Sequence, residues 1–432
     1  MTRTRRIPNH PRPATSITSY DAQVRHADDL RRRGAYDDAV RAFHAIAQRN
    51  PQRSDAFANL GAMLQAAGHP TQALLAITRA LELDPSNVAA LINSAEIMKD
   101  FGEWETVRET YDAALALQPH SATVRYARAL HLLTLGHWRE GWREHELRWH
   151  VPDLPLTTAR ITTPLWDGSP LEGQRILLDH EQGLGDQVMF ARFASDVAAR
   201  GGDVTLRCSA ALVPLFETLP GVNTVVADGA PIPAHEVRAS LMSLPHLLGL
   251  ESPATLHSAP YLQAVGECPS AIARPATARE QVGLVWSGNP QHRNDARRSI
   301  APRLLAPLLT ASQVDFVSLQ RHDGLVQVPD PLQGAVRDLG SALHTLNDTA
   351  HALLQLDLLI TVDTAVAHLA GALGVKTLLM IPFVPDWRWM VGRGDTPWYK
   401  SVEIVRQQSL FEWAPVISRV RARLDSVCVA AS

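Results

Sequence analysis

A period of 34 residues runs through the first third of the chain and constrains its fold more than any other feature. Glycine recurs at this spacing four times, and proline closes three successive units. A glycine permits a tight turn between two helices and a proline ends a helix, so each unit is predicted to be a helical hairpin. Hairpins that repeat in this way stack into an all-α solenoid. The glycines are Gly34, Gly68, Gly102 and Gly136, and the prolines are Pro51, Pro85 and Pro119.

The fourth unit keeps its first helix and loses the pattern after Trp138. His145 takes the slot that a large apolar residue fills in the earlier units, and Asp153 stands where the closing proline belongs. We therefore expect the last helix to pack on the following domain instead of on a fifth repeat. The repeat domain is predicted to span residues 20–150, after a disordered basic tail over residues 1–19.

Beyond the repeats, short β-rich runs alternate with helical segments in two blocks, which predicts two Rossmann-like α/β domains with parallel sheets. The first domain, residues 157–268, carries the runs RILLD, DVTLRC and NTVVA. The second, residues 279–424, carries QVGLVW, DFVSLQ, DLLITV, KTLLMI and SVEIV, and a linker rich in Pro and Ala is expected over residues 266–280. Ligands bind beyond the carboxyl ends of parallel strands, so the residues directly after each strand are the site candidates.

The stretch LITVDTAVAHLAGALG predicts a strand that ends at Asp363 and Thr364 and a helix that begins at once. The first N–H groups of a helix have no partner within it, and together with the helix dipole they suit a phosphate or diphosphate. His368 follows Thr364 by four residues and shares its helical face. Two interpretations stand side by side: a diphosphate-binding turn, or a turn in which Asp363 caps a helix and His368 is an interior histidine.

In the first block, the run RILLD leads into a glycine turn, Gly183 to Asp186, that begins another helix. The turn lacks the third glycine of a dinucleotide fingerprint. It is predicted to hold Asp186 on the cleft side, where a carboxylate can accept a proton from a substrate hydroxyl. The alternative is again a helix cap. His180 and Gln182, just before the turn, are candidates for the cleft wall.

Polar loops follow three further strands of the second block. The loop after QVGLVW is rich in hydrogen-bond donors, which suits an anionic ligand. Gln320 ends the next strand, where it can meet a base or ribose. The tryptophans after KTLLMI belong either to the core or to the cleft wall. The donor-binding candidates of the first loop are Ser287, Gly288, Asn289 and Arg293, and the last loop carries Asp386, Trp387, Arg388 and Trp389, of which Asp386 and Trp387 are cleft-wall candidates.

Composition narrows the function classes. A formal charge of −3 and a pI near 6.7 argue against a protein built broadly to hold nucleic acid or an anionic membrane. No apolar run reaches the length of a membrane span. Three scattered cysteines favour a reducing compartment, so the cytoplasm is the expected location. No Asp-x-Asp pair occurs in the sequence. If the chain is a nucleotide-sugar enzyme, it must therefore neutralise its leaving diphosphate with a helix dipole and arginine, without a metal or other cofactor.

With GLGD after the first strand of one half, WSGN in the other and DTAVAHLAGALG as the main turn, the carboxyl-terminal 60% or so of the chain resembles a family 9, heptosyltransferase-like glycosyltransferase. The repeats resemble tetratricopeptide repeats. The first resemblance implies a GT-B fold and a metal-independent, inverting transfer with Asp186 as the base. It also implies that Asp363, Thr364 and His368 bind the donor's diphosphate. Arg293 takes the place of the family's lysine, which leaves the donor sugar open.

The resemblance implies transfer of a hexosyl or heptosyl group from a nucleotide-diphosphate sugar to the hydroxyl of a protein or glycan acceptor. The pairing of repeats with a GT-B unit also resembles protein O-GlcNAc transferases in architecture, which allows a polypeptide acceptor. The repeats are expected to recruit a protein acceptor or partner, although a spacer or dimerisation arm has the same pattern. Two other functions stay open: a non-catalytic adaptor with a degenerate GT-B half, and a nucleotide-sugar epimerase of the same fold.

Overall fold

The computed structural model describes residues 19–152, 154, 156, 161–276, 279–292, 294–321 and 332–430, with side chains up to residue 425. Three predicted features fall outside this part of the chain: the basic tail except for its last residue, Asp153, and Arg293. The chain forms two compact units, one ending at Val124 and the other beginning at Arg125. The repeat domain is predicted to extend to residue 150, whereas packing divides the chain after Val124.

The first unit consists of helical hairpins whose turns lie at the predicted glycines. Gly34, Gly68 and Gly102 have φ values of 75°, 83° and 75°, a conformation that only glycine adopts readily. Ala39 and Ala73 are fully buried, as expected of small residues that let paired helices approach. The pairs are α1 (Tyr20–Arg32) with α2 (Tyr36–Arg49), α3 (Ser54–Ala66) with α4 (Pro70–Leu83), and α5 (Val88–Asp100) with α6 (Trp104–Leu117).

The fourth hairpin belongs largely to the second unit. Its helices are α7 (Ala122–Leu135) and α8 (Trp138–His145). The ring of Trp138 stacks on that of Trp398 with 5.0 Å between centroids, and Trp142 meets the rings of Phe190 and Trp387 edge-on at 6.0 and 5.3 Å. The prediction that the last helix packs on the following domain is therefore confirmed.

The first α/β domain has a parallel sheet of four strands in the order β3-β2-β1-β4. Three of the strands lie at the predicted runs. The strands are β1 (Arg175–Asp179), β2 (Asp203–Cys208), β3 (Val222–Ala227) and β4 (Val237–Ser240), and the helices are α9 (Leu184–Ala191), α10 (Ala194–Ala199), α11 (Val213–Phe216) and α12 (Leu244–Leu247).

The second α/β domain has six parallel strands in the order β10-β9-β8-β5-β6-β7. Its helices are α13 (Asp295–Arg298), α14 (Leu346–Leu354), α15 (Ala365–Leu373) and α16 (Ala414–Ala430). The predicted fold class is confirmed: an all-α repeat region precedes two α/β domains with parallel sheets. The strands are β5 (Glu280–Val285), β6 (Val314–Ser318), β7 (Val336–Asp338), β8 (Leu358–Val362), β9 (Thr377–Ile381) and β10 (Val402–Arg406).

The segment between the two sheets, where the linker was predicted, is held against the second α/β domain. The Arg337 side chain donates to the main-chain carbonyls of Ile272 and Ala273 at 3.0 and 3.1 Å. Arg274 pairs with Asp357 at 2.8 Å. Within the described part of the chain, no helix has both the length and the apolar composition needed to cross a membrane.

Candidate functional site

Two helices begin face to face at the junction of the α/β domains. Helix α9 follows β1 and helix α15 follows β8, and each of these strands is internal to its sheet. A Cβ atom at Gly185 would lie 2.9 Å from Cδ2 of His368 and 3.6 Å from Cα of Ala365. Glycine is thus required at this position, because any side chain would push the two helix starts apart.

Asp186 lies in the first turn of α9 and is not its cap, since the N-cap position is held by Gly183. Its carboxylate forms an ion pair with the guanidinium of Arg388, which comes from the other α/β domain. The Asp186 side chain is 18% exposed, and that of Arg388 is 11% exposed. The predicted base therefore faces the junction, but a cation from the opposite domain already occupies one of its oxygens.

Arg388 is held in place from several sides. Its Nη1 lies 2.7 Å from Oδ1 of Asp386, and its backbone N–H donates to the same oxygen at 3.1 Å. The guanidinium lies over the ring of Trp387, 4.2 Å from the centroid, and Trp398 donates to the Arg388 carbonyl at 2.9 Å. Burial alone would lower the pKa of Arg388, but the carboxylates of Asp186 and Asp386 raise it. The guanidinium is thus permanently charged.

The structure places the cleft-wall candidates of this loop beneath Arg388. Trp387 is buried in an aromatic cluster with Phe190 and Trp142, so it supports the guanidinium instead of forming an open wall. Burial by itself would raise the pKa of Asp386, but the charge and hydrogen bonds of Arg388 lower it. Asp386 therefore stays ionised and anchors the arginine.

The second helix start carries Asp363 and Thr364. The Asp363 carbonyl accepts a hydrogen bond of 2.8 Å from Nη1 of Arg298, whose Nε in turn lies 3.2 Å from Asp295. Burial, reinforced by the charge of Asp386, raises the pKa of the Asp363 carboxyl to about 6. One aspartate of the junction is thus paired with arginine, and the other has a raised pKa.

Thr364 is the N-cap residue of α15, yet its side chain does not cap the helix. The hydroxyl is buried and has no hydrogen-bond partner among the residues that the structure describes. A buried hydroxyl without a partner is costly, and a ligand at the helix start would satisfy it. This feature favours the anion-binding interpretation of the turn over a simple cap.

His368 packs as an interior histidine. Its Nδ1 lies 3.0 Å from the hydroxyl of Tyr399, and its ring stacks on Trp389 with 5.0 Å between centroids. Burial, followed by the charge of Arg388, lowers the pKa of His368 to about 3, so the imidazole is neutral. Its ring lies between Trp389 and Gly185, so it fixes the spacing of the two helix starts.

The loop after β5 is tied to the neighbouring strand. Oε1 of Gln320 accepts from the backbone N–H groups of Trp286 and Ser287 at 3.2 and 3.0 Å, so this amide oxygen shapes the loop. The Gly288 N–H donates to the Ser299 hydroxyl at 3.1 Å. Asn289 is exposed at the loop's tip.

His180 and Gln182 lie on the first-domain side of the junction. Nε2 of His180 is 2.9 Å from the Asp228 carboxylate. Together with Asp186, His180 and Gln182 line a shallow cleft whose other walls include Leu241 and Met242.

The sequence analysis assigned no role to two residues of the site, Arg388 and Tyr399. Arg388 lies on a loop that follows a strand, and the rule that such residues face the cleft is a signal for it. Tyr399 follows no strand directly, so nothing linked it to His368. Within the described ranges, no group of three or more His, Cys, Asp or Glu side chains is arranged to hold a metal ion.

Comparisons with known proteins agree with the repeat architecture. Residues 64–130 match the family model described as tetratricopeptide repeat, so the helical hairpins are tetratricopeptide repeats. Protein FlbA of Caulobacter vibrioides is 28% identical over 433 residues, which cover 91% of this chain and 71% of that protein. A Hordeum vulgare protein, the probable UDP-N-acetylglucosamine–peptide N-acetylglucosaminyltransferase SPINDLY, is 31% identical over 113 residues, 26% of this chain and 12% of that protein.

Among solved structures, the glycosyl transferase family 9 protein of Veillonella parvula matches 61% of this chain and 100% of its own. The identity is 11% and the TM-score is 0.44. A tetratricopeptide repeat protein from Parabacteroides merdae matches 31% of this chain and 54% of its own, with 23% identity and a TM-score of 0.26.

Proposed function

We propose that the protein is a glycosyltransferase that moves a sugar from a nucleotide-diphosphate donor to a hydroxyl group of an acceptor. One observation carries the proposal: the helix starts that carry Asp186 and Thr364 face each other across two Rossmann-like domains, and Arg388 lies at their junction. The Thr364 hydroxyl is buried there without a hydrogen-bond partner among the described residues. Glycosyl transfer from a diphosphate donor requires a general base close to a helix start that binds an anion.

The residues divide the chemistry between the two domains. Asp186 takes the proton of the acceptor hydroxyl as its oxygen forms a bond to the anomeric carbon of the sugar. The bond from that carbon to the diphosphate breaks, and the electron pair leaves with the diphosphate. The N–H groups at the start of α15, the Thr364 hydroxyl and the Arg388 guanidinium stabilise the developing charge. A single displacement of this kind inverts the anomeric configuration.

The proposed mechanism uses no metal ion. Arginine and the helix start supply the positive charge that a bound Mg²⁺ supplies in other sugar transferases. We expect transfer to be unchanged in EDTA. A strong loss on chelation, restored by Mg²⁺ or Mn²⁺, would show that this part of the mechanism is wrong.

The acceptor side of the proposal rests on the repeats. Tetratricopeptide arrays bind polypeptides, and the Hordeum vulgare relative is named as a probable peptide N-acetylglucosaminyltransferase. We therefore propose a protein acceptor or a protein partner at the repeats, with a glycan acceptor as the alternative. The experiment that identifies the nucleotide of the donor also decides whether its sugar is a hexose or a heptose.

That experiment is a thermal-shift screen of the full chain with nucleoside diphosphates and their sugars. A ligand that binds only the native state raises the melting temperature, so the series ADP, GDP, UDP, CDP and dTDP identifies the base. The chosen donor is then incubated with and without candidate acceptors. Conversion of the donor sugar without any acceptor would favour an epimerase, and the absence of binding by every compound would favour a non-catalytic adaptor.

A further inference from the structure

Arg388 contacts carboxylates of both α/β domains, and its contact with Asp186 affects whether that carboxylate can act as a base. Its Nη2 pairs with Asp186 of the first domain, while its Nη1 and backbone N–H bind Asp386 of its own loop. A carboxylate that is paired with a guanidinium is a poor base, because the proton it must accept competes with a permanent positive charge. In the structure, one carboxylate oxygen of Asp186 is paired with the Arg388 guanidinium.

The residue that follows Arg388 in the chain contacts α15, at whose start the donor's diphosphate is proposed to bind. Trp389, which follows Arg388 directly, stacks on His368 of α15, and the same imidazole packs against Gly185, next to Asp186. Arg388 is therefore placed between the two helix starts. Its charge contributes to the lowered pKa of His368, as expected for a cation at this position.

We propose, building on the function proposed above, that the donor's diphosphate draws Arg388 away from Asp186, so that the base is uncovered only when the donor is bound. Asp386 keeps its two contacts and serves as the fixed anchor about which the guanidinium moves. A diphosphate carries more negative charge than one carboxylate and accepts paired hydrogen bonds from a guanidinium, so it competes well for Arg388.

The proposal gives the enzyme an order of events. Without donor, the Asp186–Arg388 pair closes the junction and leaves no base for an acceptor hydroxyl or for water. With donor, the same arginine neutralises the leaving diphosphate, and Asp186 is left with a free carboxylate. Arg388 is thus a catalytic residue for the departing group and a positioning residue for the base. Activation of the acceptor follows donor binding.

The test is a double-mutant cycle that uses inorganic pyrophosphate and isothermal titration on the full chain. In the wild type, pyrophosphate must break the Asp186–Arg388 pair, so Asp186→Asn should tighten binding by about fivefold. In the Arg388→Gln background there is no pair to break, so the same Asp186→Asn change should tighten binding by less. If Arg388 instead stays on Asp186, it shields that charge, and the gain should be larger without the arginine.

Control variants distinguish the expected effect from misfolding and from general effects of charge on pyrophosphate binding. Asp395→Asn removes a carboxylate that pairs with Arg393 at 2.7 Å on the same segment but is 71% exposed, and it should leave pyrophosphate affinity unchanged. Thermal melts verify that each variant is folded. Arg388→Met replaces Arg388→Gln if the latter does not fold, because methionine keeps an unbranched side chain over Trp387 without a positive charge.

The outcomes separate this inference from the proposed function. If the wild type binds pyrophosphate and the gain from Asp186→Asn is absent, or is larger in the Arg388 variant, the sharing of Arg388 is overturned and the transferase proposal stands. If the wild type binds neither pyrophosphate nor any nucleoside diphosphate, both proposals fail. If pyrophosphate alone fails to bind, the cycle is run with the nucleoside diphosphate that raises the melting temperature most.

Discussion

The two strand-to-helix turns of the α/β domains look alike in sequence and differ in electrostatics. Each places an aspartate at the start of a helix that follows an internal strand. Asp186 is paired with Arg388, whereas Arg298 donates only to the main-chain carbonyl of Asp363, and burial together with the charge of Asp386 raises the pKa of the Asp363 carboxyl to about 6. Similar local patterns thus place one aspartate in an ion pair and the other at a buried position. The difference depends on residues far away in sequence, Arg388 for Asp186 and Asp386 for Asp363.

The largest expected difference between the two turns is in the rate of transfer. Asp186→Asn keeps the shape of the side chain but removes its basicity, so transfer should fall by about 10² to 10⁴. Asp363→Asn leaves the base intact and should lower transfer by no more than about tenfold. Steady-state assays with the donor found by thermal shift compare the two variants. Equal losses would mean that Asp186 is not the base.

A second contrast concerns Thr364, which has no counterpart in the first turn because Gly183 holds the N-cap there. Thr364→Val keeps the size of the side chain and removes the buried hydroxyl. We expect nucleoside diphosphate binding to weaken by about tenfold, since a hydrogen bond to a charged group contributes about 1.5 kcal/mol. The melting temperature should not fall, because the hydroxyl has no partner among the described residues.

Titration calorimetry gives the nucleoside diphosphate affinity of the Thr364→Val variant, and thermal melts of the same preparation give its melting temperature. Normal affinity together with lower stability would contradict the diphosphate site and assign the hydroxyl a purely structural role. Asp395→Asn again serves as the unaffected control.

The smallest expected effect is the pH dependence of stability at the second turn. The Asp363 carboxyl has a native pKa of about 6 against an ordinary value of 3.8, so the native state binds this proton more tightly than the unfolded state. Its contribution to the free energy of unfolding therefore falls as the pH rises from about 3.8 to about 6. Above that window the ionised, partly buried carboxylate destabilises the protein.

Asp363→Asn should accordingly raise the melting temperature at pH 8 by about 2 °C, which corresponds to about 1 kcal/mol, and the gain should vanish near pH 4. His368 has the opposite dependence, because its native pKa of about 3 makes stability fall as the pH drops below 6.5. The wild type and the Asp363→Asn variant both retain His368, so its effect cancels when their melting temperatures are compared. A gain that persists near pH 4 would show that Asp363 does not titrate as described.

The sequence predicted the parts of the fold that depend on local pattern. The 34-residue period located every repeat turn, since a positive φ at Gly34 and its equivalents is a local requirement. Internal strands were found because they are continuous apolar runs. The short edge strands β4 and β7 were missed, because an edge strand of three or four residues buries too little apolar surface to show a pattern.

The site could be predicted only up to its helix starts. Residues after strands lie at one edge of a parallel sheet, which identified Asp186, Thr364 and the loop that carries Arg388. Which arginine meets which carboxylate depends on how the two domains are oriented. No sequence spacing encodes that orientation, and the pairing of Arg388 with Asp186 across 202 positions had to come from the structure.

The aromatic packing of α8 has a consequence for how such a chain can change over evolutionary time. Trp138 and Trp142 fill the space beneath the loop that holds Arg388, so the fourth hairpin is an internal part of the α/β unit. The hairpins before α7 can be duplicated, exchanged or lost as a block without opening that packing. We therefore expect recombination with another repeat protein to preserve this packing when the junction lies on the amino-terminal side of α7, so that the fourth hairpin stays with its arginine loop.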